Sequence, residues 1–151
     1  MSAVATVVTD RPAGLDAGNL VGLERDVLVL TAEERRWGRR RARTVAGREL
    51  ALALPTGSVL VAGEVLHVDA GWYVVVEAAS EAVLVVVPRT TRELARVAFE
   101  VGNRHFTMAW GDGKLLVPDD PAMEQLLRRM EVAFERERCV FEPLGRGHRH
   151  D

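Results

Sequence analysis

Apolar residues in the first half of the chain occur in short, valine-rich runs, five of which predict strands. They are Glu49–Leu54, Ser58–Val61, Glu64–Val68, Trp72–Ala78 and Ala82–Val87. Turn signals such as Pro55-Thr56-Gly57 separate these runs. Residues 10–44 give no clear pattern apart from one apolar patch, Val27–Leu30. Residues 1–87 are therefore interpreted as a small all-β domain, a sandwich or barrel.

The periodicity becomes helical after Pro88. Thr90 and Glu93 have the spacing of a capping box, in which each side chain accepts a hydrogen bond from the other residue's amide. A single apolar helical face follows, formed by Leu94, Val97, Ala98 and Val101. Gly102-Asn103 then predicts a left-handed helix stop.

The rest of the chain predicts two strands joined by a hairpin, a second helix and a last strand. The strands are His105–Trp110 and Leu115–Val117, joined at Gly111-Asp112-Gly113. Asp119-Asp120-Pro121 has the residues of a helix start, and a last strand covers about Arg138–Phe141. With Ala82–Val87 as the first strand, residues 88–143 complete a ferredoxin-like βαββαβ order, so the fold class is α+β. Both helices are expected on one face of the sheet, leaving the other face open.

Composition narrows the class of protein. The 151 residues are 48% hydrophobic and carry a formal net charge of −2, which gives no general reason to expect nucleic acid or a membrane as partner. The single cysteine, Cys139, excludes an internal disulfide and a four-thiolate zinc site within one chain. The N-terminus lacks the basic and long apolar segments of a signal peptide, so a cytoplasmic protein is expected.

His105 is the most informative position for chemistry. In a strand starting at His105, side chains alternate, so Phe106, Met108 and Trp110 would pack beneath the helices. His105, Thr107 and Ala109 would then point to the open face. A neutral imidazole on an open sheet face is a candidate ligand for a late first-row metal ion.

A glycine-jointed tail, residues 144–151, supplies two further candidate ligands, His148 and His150. Their His-x-His spacing lets two imidazoles reach one ion. One chain still offers few fixed ligands, because nickel commonly takes four to six. A two-fold axis would bring two copies of His105 together, and this predicts a homodimer.

Several segments resemble the UreE family of urease accessory proteins, nickel metallochaperones. The run from Glu100 to His105 resembles the family's GNRH motif, and Leu60–Leu66 resembles its "L-x-x-G-D-x-L" segment, with Glu64 replacing the usual Asp. Arg39–Arg43 is similar to the basic stretch before the family's first long hairpin. Glu77–Leu84, Leu116–Asp120 and Phe141–Pro143 continue the resemblance in order.

The resemblance implies a β domain that binds partners or peptides, followed by a ferredoxin-like domain for metal binding and dimerisation. It also implies a non-enzymatic protein that binds Ni²⁺ through His105 of both subunits of a head-to-head dimer, where Zn²⁺ or Cu²⁺ could compete. The expected partners are a UreG-type GTPase and the urease apoprotein. His148 and His150 match only as tail histidines, and many family members have longer histidine tails.

An arginine-rich segment, Arg35–Arg43, leaves other functions open. Its four candidate partner-binding residues are Arg39, Arg40, Arg41 and Arg43. They favour an acidic protein partner, and a metal-independent interaction adaptor is one alternative function. An RNA-binding module is a weaker alternative, because the predicted open sheet face carries no aromatic side chains for stacking.

Overall fold

The computed structural model describes residues 4–145, and the chain divides into two compact units, Met1–Ala78 and Ala79–Asp151. The boundary between the units, at residues 78–79, precedes Pro88, after which the sequence pattern becomes helical. The strand Ser80–Val86 accounts for the difference, because it pairs with two strands of the second unit. Among the described residues, no helix is long and apolar enough to cross a membrane.

The first unit contains two three-stranded sheets. Its strands are β1 (Thr6–Val8), β2 (Glu24–Leu30), β3 (Arg39–Arg43), β4 (Glu49–Ala53), β5 (Val65–Val68) and β6 (Trp72–Ala78). The strand orders are β1-β4-β3 and β2-β6-β5. β1 pairs with β4 and β2 with β6 in parallel, while β3–β4 and β5–β6 are antiparallel.

One apolar core joins the two sheets, as in a small sandwich. Its buried residues are Val8, Leu28, Leu30, Leu50, Leu52, Leu54, Leu60, Leu66, Val74 and Val76. Leu54 and Leu60 come from the segment after β4, and the others come from alternate positions of the strands, so most of the opposite positions are more exposed. This arrangement confirms the predicted all-β domain.

The predicted strand Ser58–Val61 is wrong. The Ser58 amide donates to the Pro55 carbonyl at 3.1 Å, and the Leu60 amide donates to the Arg35 carbonyl at 2.7 Å. These turn and loop bonds replace a sheet ladder, although Leu60 still fills the core at 2% exposure. β1 and β3 were not predicted, because β1 is very short and β3 consists almost entirely of arginine.

A buried carboxylate braces the loop between β3 and β4. Asp26 is 2% exposed and accepts hydrogen bonds from the Thr44 hydroxyl at 2.5 Å and the Ala46 amide at 3.0 Å. Its ion pair with Arg48 measures 2.9 Å. Burial raises the pKa of Asp26, but the hydrogen bonds from Thr44, Arg48, Ala46 and Val27 outweigh it and hold the pKa below its ordinary value.

The second unit is a four-stranded antiparallel sheet with two helices. Its elements are β7 (Ser80–Val86), α1 (Thr91–Asn103), β8 (Ala109–Gly111), β9 (Lys114–Pro118), α2 (Pro121–Arg129) and β10 (Glu135–Val140). The strand order β10-β7-β9-β8 is that of the ferredoxin-like fold and confirms the prediction. The helices and sheet share a core that includes Leu84, Val97, Val101, Leu115 and Met123.

Both helices begin at the predicted residues, with one difference in the caps. The Thr90 hydroxyl accepts from the Glu93 amide at 3.0 Å, and the Asp120 carboxylate accepts from the Ala122 amide at 2.8 Å. The Glu93 carboxylate accepts from the Arg89 amide at 3.2 Å, where a capping box would use that of Thr90. Arg89 also forms an ion pair with Glu93 at 2.8 Å, which draws the carboxylate one residue back along the chain.

The sheet face away from the helices is not open at its centre. Val83 and Val85 alternate with the core residues Leu84 and Val86, so they point away from the helices. Nevertheless they are only 0% and 4% exposed. The expectation of an open face is therefore wrong along this central strand, because β7 carries buried valines on both sides.

Candidate metal centre

His105 lies in the turn that ends α1, held by two backbone hydrogen bonds. The His105 amide donates to the Gly102 carbonyl at 3.0 Å, and the Phe106 amide donates to the Val101 carbonyl at 3.2 Å. This pair of bonds is the Schellman motif. Phe106 packs against the core that contains Val101, which is the apolar contact that usually accompanies the motif.

The backbone of His105 is left-handed, with φ of 62°. Glycine normally takes this position, because a β-carbon there meets the following carbonyl oxygen. The predicted stop at Gly102-Asn103 is therefore wrong: both residues remain in the helix, and the left-handed residue is His105. A non-glycine residue in this conformation often marks a functional position.

The predicted strand His105–Trp110 is correct only at its end. β8 begins at Ala109, because the turn occupies Arg104 and His105. Phe106 and Met108 pack against the helix core as expected. The register places Trp110 opposite Leu115 on the helix side of the sheet and Ala109 opposite Leu116 on the other side, as predicted. Trp110 is nevertheless 43% exposed at the sheet edge and Ala109 only 8% exposed, so the expected packing of Trp110 and the expected open surroundings of Ala109 are wrong.

The His105 side chain is exposed, and none of the described hydrogen bonds or ion pairs involves its imidazole. It follows the C-terminal end of a 13-residue helix, where the helix dipole favours positive charge. On the same helix, Phe99 is 69% exposed, unusual for a large apolar side chain. An imidazole, the carbonyl end of a helix and an exposed aromatic ring therefore lie along one short segment.

The C-terminal segment returns to this part of the unit. β10 and β8 are the two edges of the sheet, yet the Leu144 amide donates to the Met108 carbonyl at 2.7 Å. Residues 141–144 therefore run from one edge of the sheet to the other. His148 and His150 lie outside the described residues. Within residues 4–145, no group of three or more His, Cys, Asp or Glu side chains could hold a metal ion.

The four candidate arginines of β3 divide between two faces. Arg39, Arg41 and Arg43 are exposed, whereas Arg40 is half-buried and lies on the opposite face. Arg40 forms an ion pair with Glu34 at 2.8 Å and lies over the Trp37 ring at 5.2 Å. The Arg43 guanidinium bonds Glu49 at 2.7 Å, and this hydrogen bond, with its charge, lowers the pKa of Glu49.

Three other residues with candidate ligand or binding side chains have structural surroundings. The His67 ring lies 3.2 Å from the Asp69 carboxylate and 5.5 Å from the Trp72 ring. Arg35 is buried and donates to the Leu30 carbonyl at 2.9 Å. Cys139 is half-buried, and its neighbours on β10 are exposed.

Sequence reasoning missed the turn geometry at His105 and the exposure of Phe99. A signal for the turn was present, because Phe106 follows His105 as the apolar residue of a Schellman motif and histidine is enriched in left-handed conformations. Phe99 also had a signal, because the helical periodicity places it on the side of α1 opposite the predicted apolar face.

Each of the two units matches a domain of one known protein family. Residues 13–79 match the family model described as UreE urease accessory protein, N-terminal domain, and residues 81–151 match that of the C-terminal domain. A urease accessory protein UreE of Deinococcus radiodurans is 49% identical over 112 residues, covering 74% of this chain and 72% of the relative. One from a Synechococcus species is 38% identical over 149 residues, covering 97% and 99%.

A third relative is longer than this chain. The urease accessory protein UreE of Burkholderia thailandensis is 40% identical over 127 residues, which cover 82% of this chain and 60% of that protein. The two family models together extend over nearly all of the residues from 13 to the end of the chain. The chain therefore belongs to the UreE family of urease accessory proteins.

Proposed function

We propose that this chain is a non-enzymatic nickel metallochaperone that delivers Ni²⁺ during assembly of the urease active site. Two copies would hold the ion between them through His105 of each. The observation that carries the proposal is the exposed His105 imidazole, which the left-handed turn presents at the end of α1. Its backbone position is held by two hydrogen bonds, while its ring is left available.

The donor chemistry supports this choice of cargo. Neutral imidazole nitrogen suits nickel as well as zinc and copper, so Zn²⁺ and Cu²⁺ are expected to compete for the same site. The C-terminal end of α1 adds a favourable electrostatic contribution for a cation. A site with one histidine from each chain has few ligands and releases its ion readily, which suits delivery.

The requirement for a second copy follows from the ligand count. No three-ligand group exists within residues 4–145, whereas a two-fold axis near His105 supplies two imidazoles at once. Phe99 supports contact in this region, because pairing with a second copy would remove its 69% exposed ring from water. We therefore propose a homodimer formed through the second unit.

The C-terminal tail is proposed to complete the shell. Leu144 is bonded to Met108, whose Cα can be no more than about 11 Å from that of His105. His148 is four residues beyond Leu144, a chain length of up to about 14 Å. The tail imidazoles of His148 and His150 are therefore within reach of an ion at His105.

The proposed partners are a UreG-type GTPase and the urease apoprotein. The name shared by the relatives, urease accessory protein, supports a role in urease assembly. Within this chain, Arg39, Arg40, Arg41 and Arg43 are proposed to contact a partner protein. Delivery would then combine a metal site in the second unit with a docking surface in the first.

Isothermal titration with NiCl₂ tests the metal site. Wild type is expected to bind one ion or more per dimer, and His105→Asn should weaken binding at least about 100-fold, because the amide is a poor nickel ligand. Asparagine tolerates the left-handed backbone, so the turn is preserved. His67→Gln is the matched control and should titrate like wild type. The proposal fails if His105→Asn also does so.

A second experiment separates the tail from the fixed ligand. The double variant His148→Ala, His150→Ala should lower nickel affinity or stoichiometry, while light scattering still reports a dimer. Titration indistinguishable from wild type would exclude the tail as a ligand without affecting His105. A monomer in wild-type protein loaded with nickel would contradict the shared site.

A further inference from the structure

β3 is the edge strand of its sheet, and none of the described backbone–backbone hydrogen bonds uses the outward groups of Arg39, Arg41 or Arg43. The Arg41 carbonyl accepts a long bond of 3.4 Å from the neighbouring Arg40 side chain, and beyond the strand the Val45 amide bonds the Val27 carbonyl. The Leu54 amide bonds the Gly38 carbonyl, and the Thr44 amide bonds the Arg48 carbonyl, both at 2.8 Å. These pairs extend the β3–β4 register, in which Arg41 lies opposite Ala51. Since hydrogen-bonded pairs alternate in an antiparallel ladder, the even-numbered residues of β3 bond to β4. The odd-numbered residues direct their amide and carbonyl groups away from the sheet.

The same odd-numbered residues carry the three exposed guanidinium groups, on Arg39, Arg41 and Arg43. Side chains two apart on a strand are separated by about 6.6 Å, so these groups form an evenly spaced row. Arg39 and Arg41 take part in none of the ion pairs of the described residues, while Arg43 is paired with the half-buried Glu49. The edge is therefore positively charged, and the guanidinium groups of Arg39 and Arg41 are available to bind carboxylates.

The residues of β4 beside Arg39 and Arg41 are small. Across the sheet, Arg39 and Arg41 lie opposite Ala53 and Ala51, whose methyl groups leave the guanidinium groups accessible. The other side of β3 is less polar, since Ala42 packs against the core and Trp37 is 47% exposed beside Arg40. The edge thus offers positive charge on one side and apolar surface on the other.

We propose that the outer edge of β3 captures an acidic extended segment of a partner protein as an added strand. Carboxylates at alternate positions of that segment would face Arg39, Arg41 and Arg43, and apolar residues between them would face Ala42 and Trp37. Main-chain hydrogen bonds to the odd-numbered residues of β3 would hold the added strand, and the three arginines would make binding specific for acidic segments. The inference deepens the partner surface proposed above, but it does not depend on nickel binding.

The geometry favours a protein segment over RNA. Outward amide and carbonyl groups on alternate residues match another strand, whereas RNA has no complementary backbone. Single-stranded RNA is usually held by aromatic side chains that stack on its bases, and the arginine face of β3 carries none among the described residues.

A designed peptide tests strand capture directly. The probe is a fluorescent peptide of alternating glutamate and valine, titrated into full-length metal-free protein and followed by anisotropy. Binding is expected, and it should weaken at least about tenfold for a peptide with glutamine in place of glutamate and for the variant Arg39→Gln, Arg41→Gln, Arg43→Gln. The matched control is Arg92→Gln, Arg96→Gln on α1, which should bind the peptide like wild type.

Methylation of the peptide amides separates strand addition from simple charge attraction. N-methyl groups on alternate residues remove the donors that would pair with β3 but keep every carboxylate, so binding should be lost. Binding that survives methylation, or that is unchanged in the triple arginine variant, would overturn the proposal. So would failure of the glutamate–valine peptide to bind, or equal binding of a uridine oligonucleotide of the same charge. Because nickel is absent, the outcome is independent of the metal-site experiment.

Discussion

Replacing His105 by glycine should stabilise the protein while removing its proposed metal ligand. At φ of 62°, the β-carbon of a non-glycine residue costs roughly 1–2 kcal/mol. Glycine relieves that cost but loses about 0.5–1 kcal/mol through the greater freedom of the unfolded chain. Because the imidazole makes none of the described hydrogen bonds, little else is lost. The net expectation is a gain of about 0.5–1 kcal/mol.

Urea unfolding of metal-free protein, followed by circular dichroism, measures this difference. His105→Gly should raise the unfolding midpoint with an unchanged slope, and His105→Val should lower it, because a branched β-carbon fits the left-handed region least well. Titration of the glycine variant with NiCl₂ should show binding as weak as that of His105→Asn. A glycine variant less stable than wild type would refute the claim that this backbone position is strained.

Three further predictions test the surroundings. Asp26→Asn should cost about 2 kcal/mol at neutral pH, because the amide that replaces the buried carboxylate cannot form the ion pair with Arg48. The lowered pKa of Asp26 means that this contribution is present above the unfolded pKa, about 3.9, and is lost as the pH falls through the folded value. Urea midpoints of the two proteins should therefore converge in acid, and a constant difference would contradict the assignment. Thr90→Ala should cost about 1 kcal/mol in the same assay through loss of the α1 cap, whereas Thr90→Ser should be nearly neutral. Phe99→Arg should convert the dimer to a monomer in light scattering, and an intact dimer would place the contact elsewhere.

The helices were predictable because their signals are local. Thr90 and Asp120 mark the two starts by hydrogen-bonding to amides within the next three residues, and the apolar stripe of α2 is buried as its spacing requires. The order of elements then sufficed for the ferredoxin-like fold. The details of the cap were less predictable. The Glu93 carboxylate binds Arg89 and not the Thr90 amide, because the Arg89 guanidinium competes for it.

β3 and the turn at His105 could not be predicted from the hydrophobic pattern of the sequence. β3 has no apolar alternation, because only Ala42 of its residues packs against the core. At His105, alternating residues indicated a strand, but the backbone hydrogen bonds of the helix end took precedence over that pattern. Sequence therefore identified the candidate ligand, whereas its conformation, exposure and neighbours required the structure.

The parallel pairing of β2 with β6 has a consequence for how the chain folds during synthesis. Glu24 pairs with Trp72 and Leu30 with Ala78, so β2 cannot form this pairing until β6, the last strand of the unit, has left the ribosome. Contacts of such high sequence separation slow folding, and β7 waits in the same way for β10 in the second unit. Until β6 emerges, the apolar side chains of Val27–Leu30 remain exposed on the nascent chain. Over that interval the first unit is therefore expected to be prone to aggregation.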